Sequence, residues 1–178
     1  NTIVMYGFFI EPVDMMASRL KGRLDVRKNI HPNACNKSIT TRMAIFQYMI
    51  GHTDWSIKAQ HNITLIEPTD AAPPIPIPFD FDFSGIVDSP YALPAEHLPI
   101  KSVSERYFNG YCRSLEDFKV EFNYFNSKKE EIIDCIKSFC LIDAKNRSRV
   151  IDYVNEFYDI INDDKMVKKE FIEGCRTD

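Results

Sequence analysis

A chain of 178 residues, 44% of them hydrophobic, fits one domain and carries enough apolar surface for a buried core. Its formal charge of -4, with 22 Lys and Arg scattered among 26 Asp and Glu, leaves no basic stripe for a nucleic-acid polymer. No apolar run approaches the roughly 20 residues needed to span a bilayer, and with neither a signal peptide nor a starting Met the numbered chain reads as a processed product or as part of something longer.

In chain order, Thr2 to Glu11 is rich in β-branched and aromatic residues and predicts a strand, followed by a helix over Val13 to Leu24. Residues 25–38, with Pro32 and three Asn, read as loop. Thr40 or Thr41 is placed to cap a helix carrying Ile45, Phe46, Met49 and Ile50, which Gly51 ends. Asp54 then falls just past a buried helix, and Asn62 just before a strand over Ile63 to Glu67. A second short strand around Ile75 to Phe79 leads into Asp80.

Eight of the ten prolines lie between Pro68 and Pro99 and none follows, so residues 68–99 read as an extended, loop-rich connector and the remainder as helix. Ser114 opens a run with Leu115, Phe118, Phe122 and Phe125 at helical spacing. Ser127 is placed to cap another with Ile132, Ile133, Ile136 and Phe139. Asp143 precedes the strongest amphipathic stretch, Val150, Ile151, Val154, Phe157, Tyr158 and Ile161, and residues 166–175 add a short terminal helix. The expected fold is α+β and mainly α-helical. It is one domain over 1–178, divided into a strand, helix and loop region (1–67), the Pro-rich connector (68–99) and a helical extension (100–178).

The five cysteines, Cys35, Cys112, Cys135, Cys140 and Cys175, form no CxxC pair and have no His at ligand spacing, which argues against structural zinc. Most read as small buried thiols, with Cys135 and Cys140 on one helix. A disulfide involving Cys35 or Cys112 is open to an exported protein.

The chemistry gathers in two acidic segments, Gly51-His-Thr-Asp54-Trp running to His61-Asn62, and Phe79-Asp80-Phe-Asp82-Phe-Ser-Gly85. A hairpin between them would bring Asp54, Asn62 and Asp80 into one cleft. Phosphoryl transfer from a nucleotide uses that set, one carboxylate for the acceptor hydroxyl and an Asn and Asp as hard oxygen ligands to magnesium. The plainer alternatives are a turn or a helix cap at Asp54 and a half-buried strand with an acidic face at Asp80 and Asp82. His52 and His61 read as hydrogen-bonded histidines, Trp55 as a packing residue, and Arg106 with Tyr107 as the first turn of a helix. No Gly-x-Ser-x-Gly elbow or glycine-rich phosphate loop is present.

This order of helix, Gly-His-Thr-Asp, loop, His-Asn, two strands and Asp-Phe-Asp-Phe-Ser-Gly resembles the C-terminal lobe of atypical kinases related to the CotH-type spore-coat kinases and HipA toxin kinases. Upstream, Tyr6-Gly-Phe-Phe-Ile-Glu11-Pro-Val-Asp14 and a helix with Arg19 look like the stretch that leaves the hinge in the CotH group, so the likeness covers about residues 5–90. The resemblance implies Asp54 as the catalytic Asp, Asn62 as the metal-binding Asn, Asp80 as the main metal ligand and Asp82 as its auxiliary. It implies Mg2+ and ATP as cofactors, with a nucleotide and an unidentified phospho-acceptor as partners. Here the Asn follows the Asp by eight residues instead of the family's five, which calls for a longer loop. If Thr2 to Glu11 is the hinge strand, the nucleotide-covering lobe and its Lys lie outside the numbered chain. The expected activity is magnesium-dependent phosphoryl transfer from ATP, and its rival is a non-catalytic, kinase-like binding or scaffold module. Localisation leans to an exported or periplasmic protein.

Overall fold

The structure is a computed structural model that describes residue 7 and residues 9–177. The predicted strand over Thr2 to Glu11 falls mainly outside the described residues, and Phe9 to Pro12 take no regular conformation. Among the described residues there are six α-helices and a three-stranded antiparallel sheet, which α1 and α2 contact, as expected for a mainly helical α+β fold.

Helix α1 spans Val13–Arg19, shorter than predicted, because Lys21 turns left-handed (φ 53) and the chain re-emerges as strand β1, Gly22–Leu24. β1 pairs with β2 (Ile63–Pro68), Leu24 opposite Ile66, and β2 pairs with β3 (Ile75–Pro78), Ile63 opposite Pro78. β3 holds Pro76 and Pro78, which an edge strand tolerates because half of its donors face away from the ladder.

Helix α2, Lys37–Ile50, begins one turn before the predicted cap. The Asn36 side chain accepts from the Ile39 amide at 3.1 Å, while Thr41 Oγ1 donates back to the Lys37 carbonyl at 2.8 Å from inside the helix. Gly51 ends it at φ 67, as read from sequence. A one-turn 3-10 segment, Pro32–Ala34, leads into it.

Helix α3, Leu115–Ser127, opens on a reciprocal capping box between Ser114 and Asp117. Ser127 does not cap α4, Lys129–Ser138. It closes α3 instead, its hydroxyl donating to the Tyr124 carbonyl at 2.7 Å, and the two helices meet at Lys128. Asp143 caps α5, Ala144–Ile161, through the Asn146 amide at 2.8 Å. The terminal segment is α6, Asp164–Val167, running into a wider π-type turn over Lys168–Glu173.

The core lies where α2, α3, α5 and the terminal turn meet. Ile45, Phe118, Phe157 and Phe171 are each 0% exposed, and Tyr48 packs its ring 4.8 Å from that of Phe171. Each such side chain contributes about 1.5–3 kcal/mol by leaving water. Phe108, from the irregular stretch before α3, joins this cluster and has no periodic signal in the sequence.

Of the two candidates for a disulfide, Cys112 forms one, bonded to Cys175 (Cα–Cα 4.9 Å) and tying the stretch before α3 to the C-terminal segment. The expectation of buried thiols on one helix is corrected for the pair at α4. Cys135 and Cys140 are exposed rather than buried, because Cys135 lines an open groove beside α4 and Cys140 lies beyond the end of that helix. Cys35 is the buried free thiol, and burial pushes its pKa up to about 11.

Candidate functional site

Three chain segments converge at the C-terminal end of α2. The left-handed turn at Gly51 sends His52 to Asp54 away from the helix axis, and the segment after Asp82 returns along that end. The Gly85 amide donates to the Gly51 carbonyl at 3.1 Å and the Ile86 amide to the Ile50 carbonyl at 3.0 Å. A Cβ at either Gly51 or Gly85 would strike the Tyr153 hydroxyl, so the close approach of these backbones needs glycine on both sides.

The loop from Asp54 to Asn62 is closed by paired amides between Ser56 and His61, 2.9 Å each way. Asn62 then begins the hairpin, and its carbonyl accepts from the Phe79 amide at 3.1 Å, which sets Asn62 beside Asp80. Both Asn62 (φ 51) and Asp80 (φ 58) are left-handed, a conformation that Asn and Asp bear better than other residues with a Cβ. Asp54 is the middle residue of a tight turn, the Trp55 amide donating to the Thr53 carbonyl at 3.0 Å, so the turn alternative is realised there and the helix cap is not; the strand alternative for Asp80 is not realised. No helix starts at Trp55, and β3 ends at Pro78.

Asn62 Nδ2 donates to the Asp54 carbonyl at 2.8 Å and to its Oδ2 at 3.1 Å, leaving the amide oxygen available to a cation. Asp54 Oδ1 meets His61 Nε2 at 2.9 Å. Asp82 lies within hydrogen-bonding reach of Asp80, and the Tyr91 hydroxyl donates to Asp82 Oδ2 at 3.0 Å. The Asp80 carboxyl is raised above the usual range by partial desolvation, then by the charge and hydrogen bond of Asp82 and by the charge of Asp54. Because the Asp80 side chain is exposed, the crowding of like charges is the cause with chemical weight. Asp54 and Asn62 are thus joined by hydrogen bonds, the Asn62 backbone lies beside Phe79 and Asp80, and the charges of Asp82 and Asp54 both act on Asp80.

His52 forms the floor. It is 1% exposed, its Nδ1 pairs with Gln47 Oε1 at 3.0 Å, its Nε2 has no partner, and its ring packs edge-on against Phe81. Burial lowers its pKa to about 4, so the ring is neutral at pH 7. Trp55 is a packing residue, buried with its indole N–H donating to the His52 carbonyl at 3.1 Å. Arg106 does not begin a helix. Its guanidinium lies over the Tyr153 ring at 3.6 Å, donates to the carbonyls of Met49 and Tyr153, and pairs with Glu156. It thereby pins the end of α2 to α5.

The donor set of Asp80, Asp82 and Asn62 is all hard oxygen, which suits magnesium and not zinc. Among the described residues no three His, Cys, Asp or Glu side chains form a protein-only metal cage. Magnesium in phosphoryl-transfer sites takes one or two carboxylates and completes its shell with water and phosphate, and this set fits that share. An open apolar groove of about 720 Å3 lies apart from these carboxylates, between Met43 and Phe46 of α2, Pro76 of β3, and Ile132 and Cys135 of α4.

Sequence reasoning missed Tyr91 as a neighbour of Asp82, and it read Arg106, near the Asp80 segment, as a helix turn instead of a clamp between α2 and α5. Both lie in the non-periodic stretch 79–114, where only three-dimensional proximity assigns partners. Compared with protein-family models, curated proteins and solved structures, the chain gives no match.

Proposed function

We propose that residues 37–86 form the catalytic and metal-binding segment of an atypical-kinase-like lobe, and that the chain serves magnesium-dependent phosphoryl transfer from ATP to a hydroxyl acceptor. The observation that carries this reading is the Asn62 side chain, which ties the Asp54 backbone and carboxylate to the start of the hairpin that delivers Asp80. Asp54, held through both oxygens by His61 and Asn62, would orient the acceptor hydroxyl. Asp80, Asp82 and the Asn62 amide oxygen would hold the cation, which when bound neutralises charge on the nucleotide phosphates. His52 and Phe81 support the two acidic segments from beneath with a neutral, water-excluded contact. The resemblance to CotH-type and HipA-type kinases belongs to this proposal. The Cys112–Cys175 disulfide supports an oxidising compartment and so an exported protein.

Titration calorimetry with ATP and magnesium is the direct test. The expected result is weak binding, lost in Asp80→Ala, because positioning and charge stabilisation draw on adenine and phosphate contacts beyond those of this lobe. Tight binding that survives Asp80→Ala would put the nucleotide elsewhere.

A second reading, a non-catalytic binding or scaffold module, is favoured by one observation: both Asp54 carboxylate oxygens already have protein partners. Absence of any Asp80-dependent magnesium or ATP binding would select it.

A further inference from the structure

The open groove between α2, β3 and α4 has a complementary feature on the same chain. Its α4 side presents Ile132, Cys135 and Ile136, and just past the end of that helix Phe139 and Leu141 are 48% and 63% exposed on either side of the exposed Cys140. The turn that carries them is held from behind, since the Arg147 guanidinium donates to the carbonyls of Phe139 and Ile142 at 2.9 and 3.0 Å. Two solvated apolar side chains thus stand on a fixed backbone, beside an apolar groove that stays open. Paired features of this kind mark an interaction surface.

The lining of the groove selects its occupant. Arg42 is bonded to Glu121 at 2.7 Å and Lys128 to Glu131 at 2.7 Å, so each charged residue of the lining already has a partner on the same chain and none is left for an ionic ligand. An added strand is also excluded. The Phe79 amide is directed to β2, so the alternate positions that face outward are Pro76 and Pro78, which have no N–H to extend the ladder. The groove therefore suits apolar side chains carried by an element whose backbone is satisfied elsewhere, and the Arg147-held turn is such an element. We propose that groove and turn form one self-complementary surface through which two copies of this chain associate about a two-fold axis, the Phe139–Leu141 turn of each seated in the groove of the other. A two-fold contact repeats every pairing, so a small knob and a neighbouring groove are each used twice. The formal charge of -4 on each copy opposes the approach, but the ion pairs Lys128–Glu131 and Lys137–Asp134 close within α4 and leave this face nearly neutral. The same docking sets Cys140 of one copy near Cys135 of the other.

The experiment has two arms on the full chain. In the first, analytical ultracentrifugation compares wild type with Phe139→Ser and Leu141→Lys, and each protein is melted thermally alongside. The expected wild type is a dimer with a Kd below about 1 mM, weakened at least about tenfold in both variants, as anchors of an apolar contact require. Both side chains are exposed, so the Tm of each variant should stay within about 2 °C of wild type, and two substitutions are used so that an early melt in one leaves the other to decide. In the second arm Cys135→Ser and Cys140→Ser proteins are treated with copper–phenanthroline, which accepts the two electrons released as two thiols lose their protons and form one S–S bond. Neither variant alone should give a covalent dimer, whereas an equimolar mixture should, joined from Cys140 of the first to Cys135 of the second. A wild type that stays monomeric up to about 1 mM would overturn the proposal and leave the groove to a different partner. A dimer untouched by both substitutions, or one trapped as readily in a single variant as in the mixture, would overturn it by placing the contact on another face.

Discussion

At the scale of single residues the candidate site is held by side chains that differ in what they risk. His52 is the most exposed to pH, because its imidazole is buried beside Phe81 with Nε2 unpartnered and its pKa is lowered by burial to about 4. An unfolded His titrates near 6.5. Between those values the unfolded chain binds more protons at this position than the folded one, so stability rises with pH across the window and is lost as pH falls from about 6.5 toward about 4. From pH 7 to pH 5 the loss attributable to this ring is about 2 kcal/mol. Urea melts of His52→Gln against wild type at the two pH values measure it. The wild type should lose more stability than the variant by that amount, and equal losses would show that His52 is already charged or solvated. His61 differs in kind, since it is exposed and partnered to Asp54, and the sequence offers no sign of which of the two histidines lies inside.

At the scale of elements, what was legible followed periodicity and end signals. The run Val150, Val154, Phe157 and Ile161 is legible because one helical face repeats toward one core, and Asp143 and Ser114 are legible as caps because their side chains meet amides three residues on. The hairpin leading to Asp80 was legible for the same reason, two short apolar runs separated by turn residues. β1 was not, because three residues carry no period and their pairing with β2 is decided 44 residues away, at Arg23 opposite Glu67. The fates of Ser127, Arg106 and Tyr91 were not legible either. Ser127 sits equally well at the end of one helix or the start of the next, and the other two find their partners only across the fold. The clearest element-level prediction concerns α5. Phe157 is 0% exposed and its ring meets those of Phe125 and Tyr158 at 5.5 and 5.1 Å, so α5 is seated on α3 through it. Phe157→Ala should cost about 3–5 kcal/mol in denaturant melts. A change below about 1 kcal/mol would mean that the helix lies outside the core.

At the scale of the whole molecule, the Cys112–Cys175 bond joins two points 63 residues apart and encloses α3, α4, α5 and α6 in one covalent loop. Closing a loop of that length restrains the unfolded chain by about 4 kcal/mol in the chain-entropy account. The folded chain already brings the two ends together, since the Cys112 amide donates to the Arg176 carbonyl at 2.9 Å and the Arg176 amide to the Gly110 carbonyl at 2.8 Å. This seam continues into the candidate site. Arg176 reaches Asn109 Oδ1 at 3.4 Å, and Asn109 Nδ2 donates to the Thr53 carbonyl at 3.1 Å, one residue before Asp54. Reduction should therefore act twice, lowering global stability by the loop term and loosening the backbone that presents Asp54. Trp55 is the only tryptophan and is buried at that loop, so its fluorescence reports both effects. In guanidinium melts followed by Trp55, the reduced and alkylated protein should lose about 4 kcal/mol relative to the oxidised form. Amide hydrogen exchange at Trp55, whose N–H is bonded to the Thr53 carbonyl at 3.0 Å, should quicken on reduction under native conditions. A midpoint unmoved by reduction would show that the helices hold the C-terminal segment without the bond. Exchange at Trp55 that stays at its oxidised rate while the midpoint drops would confine the disulfide to global stability and separate it from the carboxylate site.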